Sequence, residues 1–208
     1  MKTLCAMAAV LCLVALAVPQ QACSQEAKMD KTAADSVAVI QVEYDGKPMG
    51  NIVIGFFPDL APNHVANFKK LADKGFYNGV TFHRVIPGFM IQGGDPNTKD
   101  DDRGNDGYGN PGYTIKAEFS KKSHTRGIVS MARGKEPNSA GSQFFIVVKD
   151  SPYLDGQYSV FGEVLEGMDV ADKIAAVPTD NKKNPLKKVI MKDVSIVPAD
   201  YLNKAKKK

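Results

Sequence analysis

The residues with the clearest chemical use are Arg84 and Gln92, in the run Phe82-His83-Arg84-Val85-Ile86-Pro87-Gly88-Phe89-Met90-Ile91-Gln92-Gly93-Gly94-Asp95. A guanidinium stays charged and donates in a fixed fork, so Arg84 can hold a carbonyl or polarise a nitrogen without transferring a proton. Gln92 can orient that fork and bond a peptide backbone, and apolar neighbours would strengthen both interactions by excluding water. Proton-transfer machinery is not legible. His64, His83 and His124 are far apart with no zinc-ligand spacing, and no nucleophile–base pair stands out. Gly104, Gly107, Gly109 and Gly112 sit in a turn-rich insert rather than after a strand, which argues against a phosphate loop. Within that insert, residues 96–111, Asp100, Asp101 and Asp102 lack the alternating oxygens and downstream glutamate of a calcium loop, so a solvated surface loop is expected. No metal and no organic cofactor is implied.

The elements that must position these groups read mainly as strands. Alternating residues from Val37 to Tyr44 predict a first, mostly buried strand, and Asp45-Gly46-Lys47-Pro48 predicts a turn into a second strand over 50–57. Pro62 opens a helix whose Val65, Phe68, Leu71 and Ala72 share a face and which Gly75 terminates. Further strands are expected over 80–85, 89–92, 127–131, 144–148, 160–165 and 188–197, with a short helix over 168–175. No repeat and no second domain is visible. Strands in one block with two separated helices argue for an antiparallel sheet that hides its edges, most simply by closing.

The chain has 208 residues, 43% of them hydrophobic, enough for one domain plus extensions. The net charge of +4 implies no strong polyanion partner, and no aromatic platform or basic stripe suggests nucleic-acid binding. All three cysteines are early, at Cys5, Cys12 and Cys23, so the domain holds no disulfide framework. Residues 1–22 read as an export signal, with Lys2, an apolar run over 4–18 and Pro19 ending it. The run is short for a membrane span, which needs about 20 residues. Cys23 follows Ala22 where a bacterial lipoprotein signal places its lipidated cysteine, although Gln20 stands where a branched aliphatic residue is usual. Lipidation of Cys23 and plain cleavage after Ala22 are the alternatives; either takes the chain to the periplasm or cell envelope. Residues 23–36 read as a polar tether, 37–198 as the domain, and 199–208 as a frayed basic tail carrying Lys204, Lys206, Lys207 and Lys208.

The run over residues 82–95 resembles the signature of the cyclophilin-type peptidyl-prolyl cis-trans isomerases. Asn138-Ser139-Ala140-Gly141-Ser142-Gln143-Phe144-Phe145-Ile146 and Leu154-Asp155-Gly156-Gln157-Tyr158-Ser159-Val160-Phe161-Gly162 resemble two further diagnostic runs, in order and at the family's spacing. The resemblance implies a mainly β fold, a closed eight-stranded antiparallel barrel capped by two α-helices. It implies that Phe89, Met90, Phe145 and Leu154 line a slot for a proline ring with Tyr158 at its rim, and that Ala132 and Gln143 contact the substrate backbone. Three positions look bacterial: Arg133 replaces an asparagine that contacts the peptide, Tyr153 a tryptophan important for cyclosporin, and Tyr158 a histidine. Weak cyclosporin binding is therefore expected. Strand alternation places His83 on the face opposite Arg84, a supporting residue.

The function expected is prolyl isomerisation on exported polypeptides, assisting their folding, by a monomer whose partners are unfolded or partly folded proline-containing chains. No covalent bond changes in that reaction, which fits the missing proton-transfer groups. A proline-peptide binding module or holdase is the rival from another class; it would need the pocket but not Arg84.

Overall fold

The computed structural model describes residues 36–205. The export signal, the tether apart from Ser36, Cys23 and the lysines at 206, 207 and 208 lie outside the described residues. Strands β1 (Ser36–Tyr44) and β2 (Lys47–Phe56) form a hairpin. Asp45 and Gly46 take φ of 54° and 72° at its tip, the left-handed geometry that matches a two-residue turn to the twist of its strands. Helix α1 (Pro62–Asp73) follows, then β3 (Thr81–Ile86), β4 (Met90–Asp95), β5 (Ile128–Met131), β6 (Phe144–Val147) and β7 (Val160–Glu166). Helix α2 (Met168–Ala175), β8 (Val189–Pro198) and a short α3 (Tyr201–Ala205) complete the order. The strands close in the sequence β1-β2-β7-β5-β6-β4-β3-β8, antiparallel at each pairing. Closure removes the unpaired edges that would otherwise invite aggregation.

Inward-facing side chains fill the barrel and the helices plug it. Phe68 of α1 meets Tyr77, Phe144 and Phe161 at ring separations of 4.8, 5.5 and 5.5 Å. From α2, Val170, Ala171 and Ile174 join the same core. The N-cap of α1, Ala61, offers no capping side chain. Glu118, distant in sequence, accepts from the backbone N–H of Asn63 at 3.1 Å and of His64 at 3.0 Å, and so caps the helix from outside.

The lysines expected to fray have side chains outside the described residues, while the segment ahead of them is docked. Ala199, Tyr201 and Leu202 pack on Val37, Val39 and Val53, on the outer surface of β1 and β2. The apolar residues ahead of the lysines were enough to dock the segment. Among the described residues, no helix is long and apolar enough to cross a membrane.

Candidate active site

Strand β6 divides its side chains between two environments. Phe144 and Ile146 point into the barrel core; Phe145 and Val147 join Met90, Leu154 and Val160 in a separate outer cluster, with Phe89, Ala132 and Tyr158 packed against it. Period-two alternation is thus what puts Phe145 at the site. The outer cluster leaves an open recess of about 90 Å³, lined by Arg84, Phe89, Met90, Gln92, Ala132, Arg133, Phe145, Leu154 and Tyr158. That is smaller than the roughly 150 Å³ apolar cavity that accepts benzene, and suits a five-membered ring.

One edge of the recess is polar. Arg84 donates from Nη1 to Gln92 Oε1 at 3.2 Å, and Gln92 donates from Nε2 to Gln143 Oε1 at 3.0 Å. Gln143 Nε2 in turn donates to the carbonyls of Gly107 and Gly109 at 3.0 and 2.8 Å. The chain runs from a fixed loop to an exposed guanidinium, and among the described residues no carboxylate pairs with Arg84. The loop is fixed by Asp95, fully buried, which accepts from the backbone N–H of Asn97 at 2.8 Å, of Gly109 at 3.2 Å and of Gly107. A Cβ on Gly109 would lie 2.0 Å from Asp95 Oδ1, so this carboxylate needs glycine there. Residues 96–111 form the expected surface loop, with only Thr98 buried, and these bonds anchor it to the barrel.

The sequence profile described as "Cyclophilin type peptidyl-prolyl cis-trans isomerase/CLD" matches residues 39–196. The chain belongs to this family. A probable peptidyl-prolyl cis-trans isomerase of Brucella abortus (strain 2308) is 54% identical over 130 residues, covering 60% of this chain and 66% of that relative, just under two thirds of its length. Peptidyl-prolyl cis-trans isomerase B of Bacillus subtilis (strain 168) is 49% identical over 122 residues, 57% of this chain and 79% of that protein. Among solved structures, a cyclophilin type isomerase of Cryptosporidium parvum, crystallised in the presence of the dipeptide Ala-Pro, superposes with a TM-score of 0.69 at 32% identity. That match covers 77% of this chain and 98% of that one.

Not every expected residue reaches the recess of this cyclophilin-type chain. Tyr153 is 61% exposed and lies outside the lining, its ring 5.7 Å from that of Phe89. Gln143 lines the neighbouring groove, its amide engaged with Gln92 and the loop. Arg133 lines the recess, but its guanidinium donates to the carbonyls of Gln157, Gly134 and Lys135 at 3.0, 2.9 and 3.0 Å and lies 5.0 Å above the Tyr158 ring.

Two expectations are corrected. His83 does not face away from Arg84. The β3–β4 register slips between Phe82 and Arg84, leaving His83 as an extra residue, and both side chains line one cavity. A bulge of this kind breaks alternation and re-aims a side chain. A serine–histidine–carboxylate trio is also present: His124 Nδ1 lies 2.9 Å from Asp155 Oδ1, and its Nε2 lies 2.9 Å from Ser130 Oγ. With Asp155 ionised, Nδ1–H donates to it and Nε2 accepts the Ser130 hydroxyl. Hydrogen bonds from the Ser123 hydroxyl and the His124 backbone hold the Asp155 carboxyl below its ordinary range. Ser130 and His124 are fully buried, so the trio has the order of a hydrolase set without an accessible nucleophile. Its histidine stacks on Phe145 at 6.1 Å and braces the recess from beneath. Residues 31 positions apart in sequence gave no sign of this contact.

Proposed function

We propose that the chain is a prolyl isomerase acting on exported polypeptides, with Arg84 as its principal catalytic residue. Rotation about an X-Pro bond meets a barrier of about 18–20 kcal/mol from amide resonance, and uncatalysed exchange takes roughly 10–100 s. Reaching a turnover of about 10–10³ s⁻¹ requires roughly 3–7 kcal/mol of stabilisation felt by the twisted amide and not by the planar one.

In the twisted state the prolyl nitrogen loses conjugation and gains a basic lone pair. A donor aimed there helps only then. With the proline ring in the apolar recess, Arg84 is the donor at hand, and Gln92, held by Gln143, keeps its fork in place. The observation that carries the reading is an exposed guanidinium, free of any described carboxylate, on the edge of a ring-sized recess that Phe89, Met90, Phe145 and Leu154 help to line. Phe89, Met90, Phe145 and Leu154 would hold the ring, with Tyr158 at the rim. The solved relative crystallised in the presence of Ala-Pro supports a proline-containing ligand. Export rests on residues 1–22, and lipidation on Cys23.

The test is catalysed exchange of a prolyl peptide measured by NMR. Arg84→Ala should lower kcat/KM by about 10²–10³, the usual effect of removing one electrostatic donor to a transition state, with an unchanged melting curve. Full activity in the folded variant refutes the role. Peptide binding without catalysed exchange by the unaltered protein would support the binding-module reading instead. Mass spectrometry of the mature N-terminus decides Cys23: a diacylated cysteine means a lipoprotein, and an unmodified one a soluble exported protein.

A further inference from the structure

A second cavity adjoins the recess beyond Arg84. Its charged and titratable walls are His83, Arg84, Arg103, Asp106, Tyr108, Arg133 and Lys182. Four are cations and one is a carboxylate. None of the four cations forms an ion pair among the described residues. Arg103 is fixed by donating to the carbonyls of Pro185 and Leu186, contacts that order its guanidinium without cancelling its charge. Lys182 sits in a turn whose backbone is tied by Asp180 Oδ1, which accepts from the N–H of Lys182 at 2.8 Å and of Asn184 at 2.9 Å. Asp106, the lone carboxylate, accepts from Asn184 Nδ2 at 2.6 Å. The lining therefore carries more positive than negative side chains.

His83 also forms part of the cavity wall, with its two ring nitrogens enclosed rather than open to the cavity. Burial lowers its pKa, against opposing pulls from Asp95, Asp106 and the Thr81 backbone, so at neutral pH it adds no further charge to the cavity.

The recess and the cavity share Arg84, Gln92 and Arg133. An extended chain advances about 3.3 Å per residue, so with these shared walls a residue close to a proline held in the recess would pass the cavity. A neighbouring groove shares Gln92, Tyr108 and Arg133 with the cavity; its own walls include Asn110, Thr114 and Ser139, and Arg133 is the one cation in its lining. We propose that the cavity is an anion subsite that selects client sequences bearing an acidic side chain about two residues from the proline, on one side of it only. This selectivity rests on the isomerase reading for its substrate.

The test uses prolyl peptides with glutamate two residues before the proline, two residues after it, or far from it, and a glutamine control. Affinity by NMR titration and catalysed exchange are both read. Glutamate at one of the two near positions should raise affinity and kcat/KM about 3–10-fold over glutamine, the scale of a few exposed charge pairs. The gain should shrink above an ionic strength of about 0.15 M. Arg103→Ala/Lys182→Ala should bring the glutamate-to-glutamine ratio close to one, as should Lys182→Ala in part if the double variant folds poorly. Equal affinity of all peptides, equal gain from near and far glutamate, or a ratio untouched by folded variants overturns the subsite. If catalysed exchange of the glutamine peptide is normal in that case, the isomerase reading stands. One-sided preference in binding with no catalysed exchange would keep the subsite and refute the isomerase reading.

Discussion

Two hydrogen-bonded chains meet around Phe145, and they differ in where they end. Ser130–His124–Asp155 starts at a buried hydroxyl and finishes on a carboxylate that also accepts from Ser123 and from the His124 backbone. Gly107/Gly109–Gln143–Gln92–Arg84 is anchored at one end only and leaves a guanidinium in the open. The first contains residue types usually linked to chemistry, yet nothing can reach its serine. The second contains no acid, base or nucleophile, yet presents a charge to a ring-sized recess. Residue type alone would favour the first; access favours the second.

The largest expected effect comes where the chains converge. Phe145→Ala should lower stability by about 3–5 kcal/mol, as deletion of a buried ring usually does, and should also weaken peptide binding. A melting curve paired with a titration checks both; unchanged affinity would make Phe145 part of the core only. His124→Ala should cost about 1–3 kcal/mol, because it leaves the buried Ser130 hydroxyl without its acceptor. Its kcat/KM should fall far less than that of Arg84→Ala, and denaturant titration with exchange rates measures the split. The reverse pattern would erase the distinction between the closed and open chains. Gln143→Ala should lower kcat/KM about 3–10-fold, on the scale of one hydrogen bond, with little change in affinity for the ring. Unaltered kcat/KM would mean that Arg84 needs no bracing.

The smallest effect concerns another buried histidine–carboxylate contact, His64 Nδ1 to Glu118 Oε2 at 2.6 Å. Burial raises the Glu118 pKa, but hydrogen bonds from His64 and Asn63 together outweigh it and hold the carboxyl below its ordinary 4.5. A carboxyl depressed on folding contributes its stability above the unfolded-state pKa and loses it as pH falls through the folded one. Stability should therefore decline from about pH 4.5 downward, and Glu118→Gln should flatten that decline in melting curves across pH. An identical acid profile would show that the contact contributes little.

Much of the barrel was legible because its signals are local. Alternation marked the strands, Asp45-Gly46 marked the hairpin turn, and Val65, Phe68, Leu71 and Ala72 marked the buried face of α1. The recess was legible only through the family resemblance, since an isolated phenylalanine reads equally as core. Where reasoning failed, it failed at exceptions to periodicity. Alternation sent His83 to the wrong face because a single extra residue resets it, and no residue type at that position announces a bulge. The basic end of the chain drew attention to its lysines, while Tyr201 and Leu202 decided how it docks.

The sequence by itself determined the strand pattern, the helix faces, the turn chemistry and an arginine and glutamine eight residues apart, because these depend on neighbours along the chain. Only the tertiary structure decided that Arg84 and Gln92 meet, through an antiparallel register that pairs them across β3 and β4. It also decided that Glu118 caps a helix 54 residues away from it and that His124 reaches Asp155. It closed the sheet and placed Arg103 and Lys182 beside Arg84. These contacts join distant segments, whose separation is set by barrel closure and loop anchoring rather than by any local preference.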